Sequence, residues 1–187
     1  MNFKKFIAAA ALAACTITAT PVKAQQYEAK QIVNYLQRLG VTLNINASSC
    51  GSLKTGHGAA GGWYRPVSNQ MCIKDHRIIG ADAWFRMLNH EAWHVVQDIL
   101  GDGLQSSKMT PLSTWAYVNQ GESSAQRVIN KLSGINTYEQ VEWAGTYAKR
   151  QSSDKFHNLE WEAVLVEYHP GLVLKSLRLA CDALPSC

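Results

Sequence analysis

Residues 81–100 read ADAWFRMLNHEAWHVVQDIL, and the spacing of apolar positions along that stretch decides the architecture. Trp84, Met87, Leu88, Ala92, Val95, Val96 and Ile99 recur at helical intervals, which predicts one amphipathic helix from Ala81 to Leu100, ended by Gly101 and Gly103. Within it, His90-Glu91-Ala92-Trp93-His94 sets two imidazoles four residues apart. On a helix they share a face about one turn from each other, close enough to hold the same cation. Zinc accepts such a pair of neutral imidazoles. Glu91 follows His90 directly, so its carboxylate points beside the ion rather than at it, where it can act as a base towards water.

Two histidines do not complete a zinc site, and a third protein ligand has to come from elsewhere. The metzincin extension of this motif needs Gly at 97 and His at 100, and the chain has Gln97 and Leu100 there. A glutamate from a later helix is the other common solution, and Glu160-Trp161-Glu162-Ala163 stands in such a segment. Over residues 90–97 and 160–163 the chain resembles the gluzincin metallopeptidases, whose downstream ligand commonly sits in a Glu-x-x-Ala pattern. The resemblance implies a zincin-like fold, Glu160 as the third zinc ligand, and Ala163 as the small residue that lets two helices approach. Val164 departs from the pattern. Many relatives have an Asp there to orient a ligating histidine, so that support has to come from another residue. Glu162 competes with Glu160, but the two lie about 200° apart on a helix and only one can face the ion. Glu167 and Asp98 are further alternatives, Asp98 the weaker geometrically because three consecutive turns of one helix do not readily converge.

Outward from the metal helix, residues 27–39 carry apolar positions at Ile32, Val33, Tyr35, Leu36 and Leu39, a short amphipathic helix closed by Gly40. Residues 41–46 alternate as a half-buried strand, and residues 63–73 read as a hairpin turning at 66–69. Residues 51–62 hold five glycines but no phosphate-binding pattern, and read as a loop. After a polar loop over 102–113, helices are expected at about 122–133, 138–150 and 155–168, with a last one opened by Pro170. The fold class is therefore α+β: a small antiparallel sheet, then the zinc helix, then a mostly helical C-terminal half.

The first 24 residues run from Lys4 and Lys5 through an apolar stretch to Val22-Lys23-Ala24, the order of a secretory signal peptide, too short to span a membrane. Residues 25–187 then form a single domain. Losing Lys4, Lys5 and Lys23 takes the net charge from +4 to about +1. No basic stripe is left for nucleic acid. A periplasmic or secreted location follows, with a lipid anchor at Cys15 as the alternative, since Leu12-Ala13-Ala14-Cys15 resembles a lipobox. Cys50, Cys72, Cys181 and Cys187 remain and read as two disulfides, with Cys50–Cys72 and Cys181–Cys187 the favoured pairing of three.

These residues point to an exported zinc metallopeptidase acting on a peptide or protein, with Glu91 as base towards a metal-activated water. The alternative is a non-catalytic zinc-binding scaffold of the same shape that holds a ligand or partner in the envelope. Tyr147, His157, Tyr168 and His169 are candidates to stabilise an oxyanion. The hairpin edge is a candidate to pair with an extended substrate, with Trp63 and Tyr64 as pocket walls.

Overall fold

The computed structural model describes residues 22–46, 54–55, 58–59, 61–151, 157–182, 184 and 187. The expected signal segment up to residue 21, with Cys15, lies outside those residues, as does Cys50. Helix α1 (Val22–Arg38) starts at Val22 rather than Tyr27. Lys23, Ala24, Gln25 and Gln26 are good helix formers without an apolar period, so the spacing does not announce this turn. The helix ends in a Schellman motif. Gly40, at φ 74°, donates its N–H to Gln37 O at 2.9 Å, and Val41 donates to Leu36 O at 2.9 Å.

Strand β1 (Thr42–Ile45) follows. Part of the glycine-rich segment pairs as a minimal antiparallel ladder, β2 (Lys54–Thr55) with β3 (Gly58–Ala59). The expected hairpin is present as β4 (Gly62–Arg65) and β5 (Gln70–Ile73), joined by a 3-10 turn at Pro66–Ser68. The sheet, however, is mixed rather than antiparallel. Its order is β1-β5-β4, and β1 runs parallel to β5, with Thr42 opposite Gln70 and Ile45 opposite Ile73. The reason is where β1 enters: Thr42 donates to Asn69 O at 2.9 Å, so β1 begins beside the turn that opens β5 and the two run the same way.

A short helix α2 (His76–Ile79) leads into α3 (Ala81–Gly101), the metal helix of the sequence reading. Every residue of α3 from Leu88 to Leu100 is buried. The helix is enclosed on all sides rather than on one stripe, with β4, α1 and the later helices around it. At its end, a Cβ on Gly101 would stand within bonding distance of Lys108 O, so only glycine allows the following loop to fold back here.

The C-terminal half is α4 (Leu112–Gln120), α5 (Glu122–Gly134), α6 (Tyr138–Gln151), α7 (His157–Val166) and α8 (Pro170–Asp182). Helix α4 was not expected, and the loop before it ends at Pro111 rather than Ser113. Helix α7 packs along α3 through Ala163, which is fully buried. Helix α8 packs on α1, and Cys181 forms a disulfide with Cys187. Arg38 of α1 donates to Cys187 O at 2.7 Å and 3.1 Å. Cys72 is also disulfide-bonded. No described helix is long and apolar enough to cross a membrane.

Candidate metal centre

His90 and His94 face α7 from consecutive turns of α3, with ring centroids 5.0 Å apart and planes at 81°. Glu160, in the first turn of α7, meets both. Its Oε2 lies 3.4 Å from His90 Nε2 and its Oε1 lies 3.6 Å from His94 Nε2. One ligand atom from each of the three residues falls within 4.8 Å of the others. Ligands about 2.0–2.1 Å from a tetrahedral zinc are separated by about 3.3 Å, so the donor set and its spacing fit such an ion. His90, His94 and Glu160 form a group that can hold a metal.

The far side of each ring is held as well. His94 Nδ1 lies 2.7 Å from Gln97 Oε1. The Gln97 amide cannot turn over, because its Nε2 donates to Leu159 O at 3.1 Å and to Glu162 Oε2 at 3.2 Å. Its oxygen therefore faces His94, which fixes the proton on Nδ1 and leaves the Nε2 lone pair towards Glu160. On the other ring, His90 Nδ1 lies 3.5 Å from Glu167 Oε2. Glu167 thus supplies the support that the aliphatic Val164 cannot. It stands seven residues after Glu160, two turns on and nearly on the same side, a spacing visible in the sequence. Gln97 stands where the metzincin pattern has Gly, and no local signal marks its role.

Glu162 turns away from the His90–His94–Glu160 group. It is fully buried and accepts from Leu112 N at 2.7 Å, from Ser113 N at 2.8 Å and from Ser113 Oγ at 2.6 Å, besides Gln97. It therefore caps α4 from another helix and braces Gln97 in the same act. Asp98 is equally committed: the Tyr64 hydroxyl donates to it at 2.9 Å and Ser106 Oγ at 3.1 Å. Neither competes for the ion.

Glu91 is buried beside this group under β4. The Tyr64 N–H, on the side of β4 away from β5, donates to its carboxylate. Gly62 permits the approach. A Cβ there would stand 2.8 Å from Cys72 O, 3.0 Å from Met87 Cγ and 3.2 Å from Glu91 Cγ. Burial pushes the Glu91 carboxyl up to about 7, with His90 opposing the rise and Glu160 adding to it. Burial alone would lower His90, but the Glu160 and Glu167 carboxylates outweigh it and hold the imidazole well up. Burial likewise works against ionised Glu160, which His94 and His90 nevertheless hold well below the ordinary carboxylate range.

Of the four candidates for an oxyanion donor, the fold brings only Tyr147 to the group. Its ring packs edge-on against His90 at 6.2 Å, and burial, with the charges of Glu160, Glu91 and Glu167, holds its phenol well above the ordinary value. Tyr168 sits beyond it against Arg86. His169 opens α8 and bonds Asn136 Oδ1 at 3.1 Å, and His157 lines a separate hollow with Ser113 and Trp161. Tyr64 sends its ring into the core rather than forming a pocket wall, and Trp63 stacks with Arg65. A groove of about 380 Å3 leads from His90 between α3 and α6, walled by Met87, Trp143, Tyr147 and Val164.

Comparison of the chain with known protein families, with curated proteins and with solved structures gives no match.

Proposed function

We propose that the chain is a zinc-dependent metallopeptidase of gluzincin type with a zincin-like arrangement of sheet, metal helix and ligand helix. The observation that carries this reading is the convergence of His90 Nε2, His94 Nε2 and a Glu160 carboxylate with the Glu91 carboxyl beside them. Zinc in that position supplies Lewis acidity to a peptide carbonyl and makes a nearby water easier to deprotonate. Glu91 accepts that proton as the water attacks and returns it to the departing amine. Tyr147 stays protonated and can donate to the oxygen on which charge develops. Among the described residues β4 has a strand on one side only, and its outer edge beside Glu91 can take an extended peptide by strand pairing.

An exported location, periplasmic or secreted, is part of the proposal. It is supported by the character of residues 1–24 and by the Cys181–Cys187 disulfide, a bond that persists in oxidising compartments. The test is direct. Purified protein should carry zinc close to one per chain. Glu91→Gln should keep the zinc and lose hydrolysis of a mixed peptide library, while His94→Ala should lose both. Undiminished hydrolysis by Glu91→Gln sinks the assignment.

A further inference from the structure

The groove beside His90 is apolar along its walls, yet one cation stands over it. Arg86 lies four residues before His90, so both project from the same face of α3, about 5–6 Å apart at their Cβ atoms. Its guanidinium sits 5.6 Å from the centre of the Tyr168 ring, and Nη1 reaches the Tyr168 hydroxyl at 3.4 Å. That ring steadies the arginine without neutralising it. Among the described residues no carboxylate lies within ion-pair distance of Arg86, and Glu167, which also lines the groove, is engaged by His90 Nδ1 and by the Tyr168 hydroxyl. Met87, Val164, Tyr147 and Trp143 form the remaining surface, Trp143 with 47% of its area exposed. A volume of about 380 Å3 admits one large side chain rather than a run of residues.

We propose that this groove is a specificity site for a large apolar or aromatic substrate residue accompanied by a carboxylate, with Arg86 as the residue that reads the carboxylate. The inference rests on the peptidase reading above and names the substrate class of that site. A guanidinium with no acidic partner presents its donors as a fork suited to two carboxylate oxygens. The apolar walls select the side chain. An extended residue covers only about 3.3–3.6 Å, so a carboxylate at Arg86 belongs to a position one or two residues from the carbonyl held at the metal. Two sources share that chemistry: the free C-terminal carboxylate of a peptide, and an acidic side chain close to the cleaved bond.

The probe is 2-benzylsuccinate, which joins a metal-binding carboxylate, a benzyl group and a second carboxylate. It is compared with the analogue in which the carboxylate next to the benzyl-bearing carbon is an amide. Binding to zinc-loaded protein is measured by calorimetry, with acetohydroxamate reporting that the metal site is intact. The expected result is that the diacid binds roughly tenfold to a hundredfold tighter than the amide. Arg86→Ala should erase that difference, Arg86→Lys should restore part of it, and acetohydroxamate should bind all three proteins alike. A gap that persists in Arg86→Ala, or an equal loss for diacid and amide, overturns the assignment. Competition by peptides ending in free Phe, in amidated Phe or in amidated Phe-Glu separates the sources. Arg86-dependent binding of the first points to a chain end and of the last to a side chain, and either supports the site. Arg86-independent binding of all three overturns it. Because these are binding measurements, failure to cleave any peptide would defeat the peptidase reading and leave this result intact. Cleavage indifferent to both kinds of carboxylate would defeat this inference alone.

Discussion

At the scale of single residues, the candidate ligands and the groups that hold them were unequally visible. His90, Glu91 and His94 are legible because a spacing of four on a helix is local geometry. Glu160 followed from a short pattern that the fold places opposite both rings. Gln97 acquires its role only when α7 docks on α3, and nothing in its own neighbourhood announces that, whereas the seven-residue spacing of Glu167 from Glu160 is legible in the sequence. Their importance is measurable. Gln97→Leu removes the acceptor of His94 Nδ1, and Glu167→Ala removes the partner of His90 Nδ1. Each should weaken zinc binding by roughly tenfold to a hundredfold, read by competition with a chromogenic chelator, with far-ultraviolet circular dichroism unchanged in Glu167→Ala. Unaltered affinity in both would mean that the two contacts do not orient the rings.

Among the elements, those with periodic faces and their own stop signals were found in the sequence close to their true limits, α3 and α6 above all. Helix α4 was not, for an identifiable reason. Its N-cap is Pro111, which makes no side-chain cap, and the donors of its first turn are satisfied by Glu162 from another helix. The parallel pairing of β1 with β5 was hidden in the same way, since that register is set by a turn far along the chain. Strand β4 carries the prediction that belongs to this scale. Gly62→Ala puts a methyl group between Cys72 O, Met87 and Glu91, and either the strand lifts from α3 or the side chains below move. A loss of about 1–3 kcal/mol in unfolding free energy is expected, measured by denaturant titration, together with reduced turnover because the Tyr64 N–H leaves Glu91. A variant as stable and active as the parent would show that β4 has slack.

For the whole molecule, the sequence was enough for the α+β class and for the order of sheet and helices, but not for the enclosure of α3 on every side from Leu88 to Leu100. That enclosure governs how the site answers to pH. In the metal-free chain His90 holds a proton up to about pH 10, so a cation must displace that proton throughout the neutral range. The sign follows: affinity rises with pH and falls on acidification. A change of about tenfold per pH unit is expected between about pH 7.5 and 5.5, one proton being exchanged for each ion. Chelator competition across that range checks it, and a flat profile would indicate that the ring is already neutral. The carboxylate of Glu162 gives this coupling a further reach. Through Gln97 it joins the imidazole of His94 to the first amides of α4, an element that offers the ion no ligand. An ion that fastened that ring would also bear on how firmly α4 is held, through hydrogen bonds that end at the first amides of that helix.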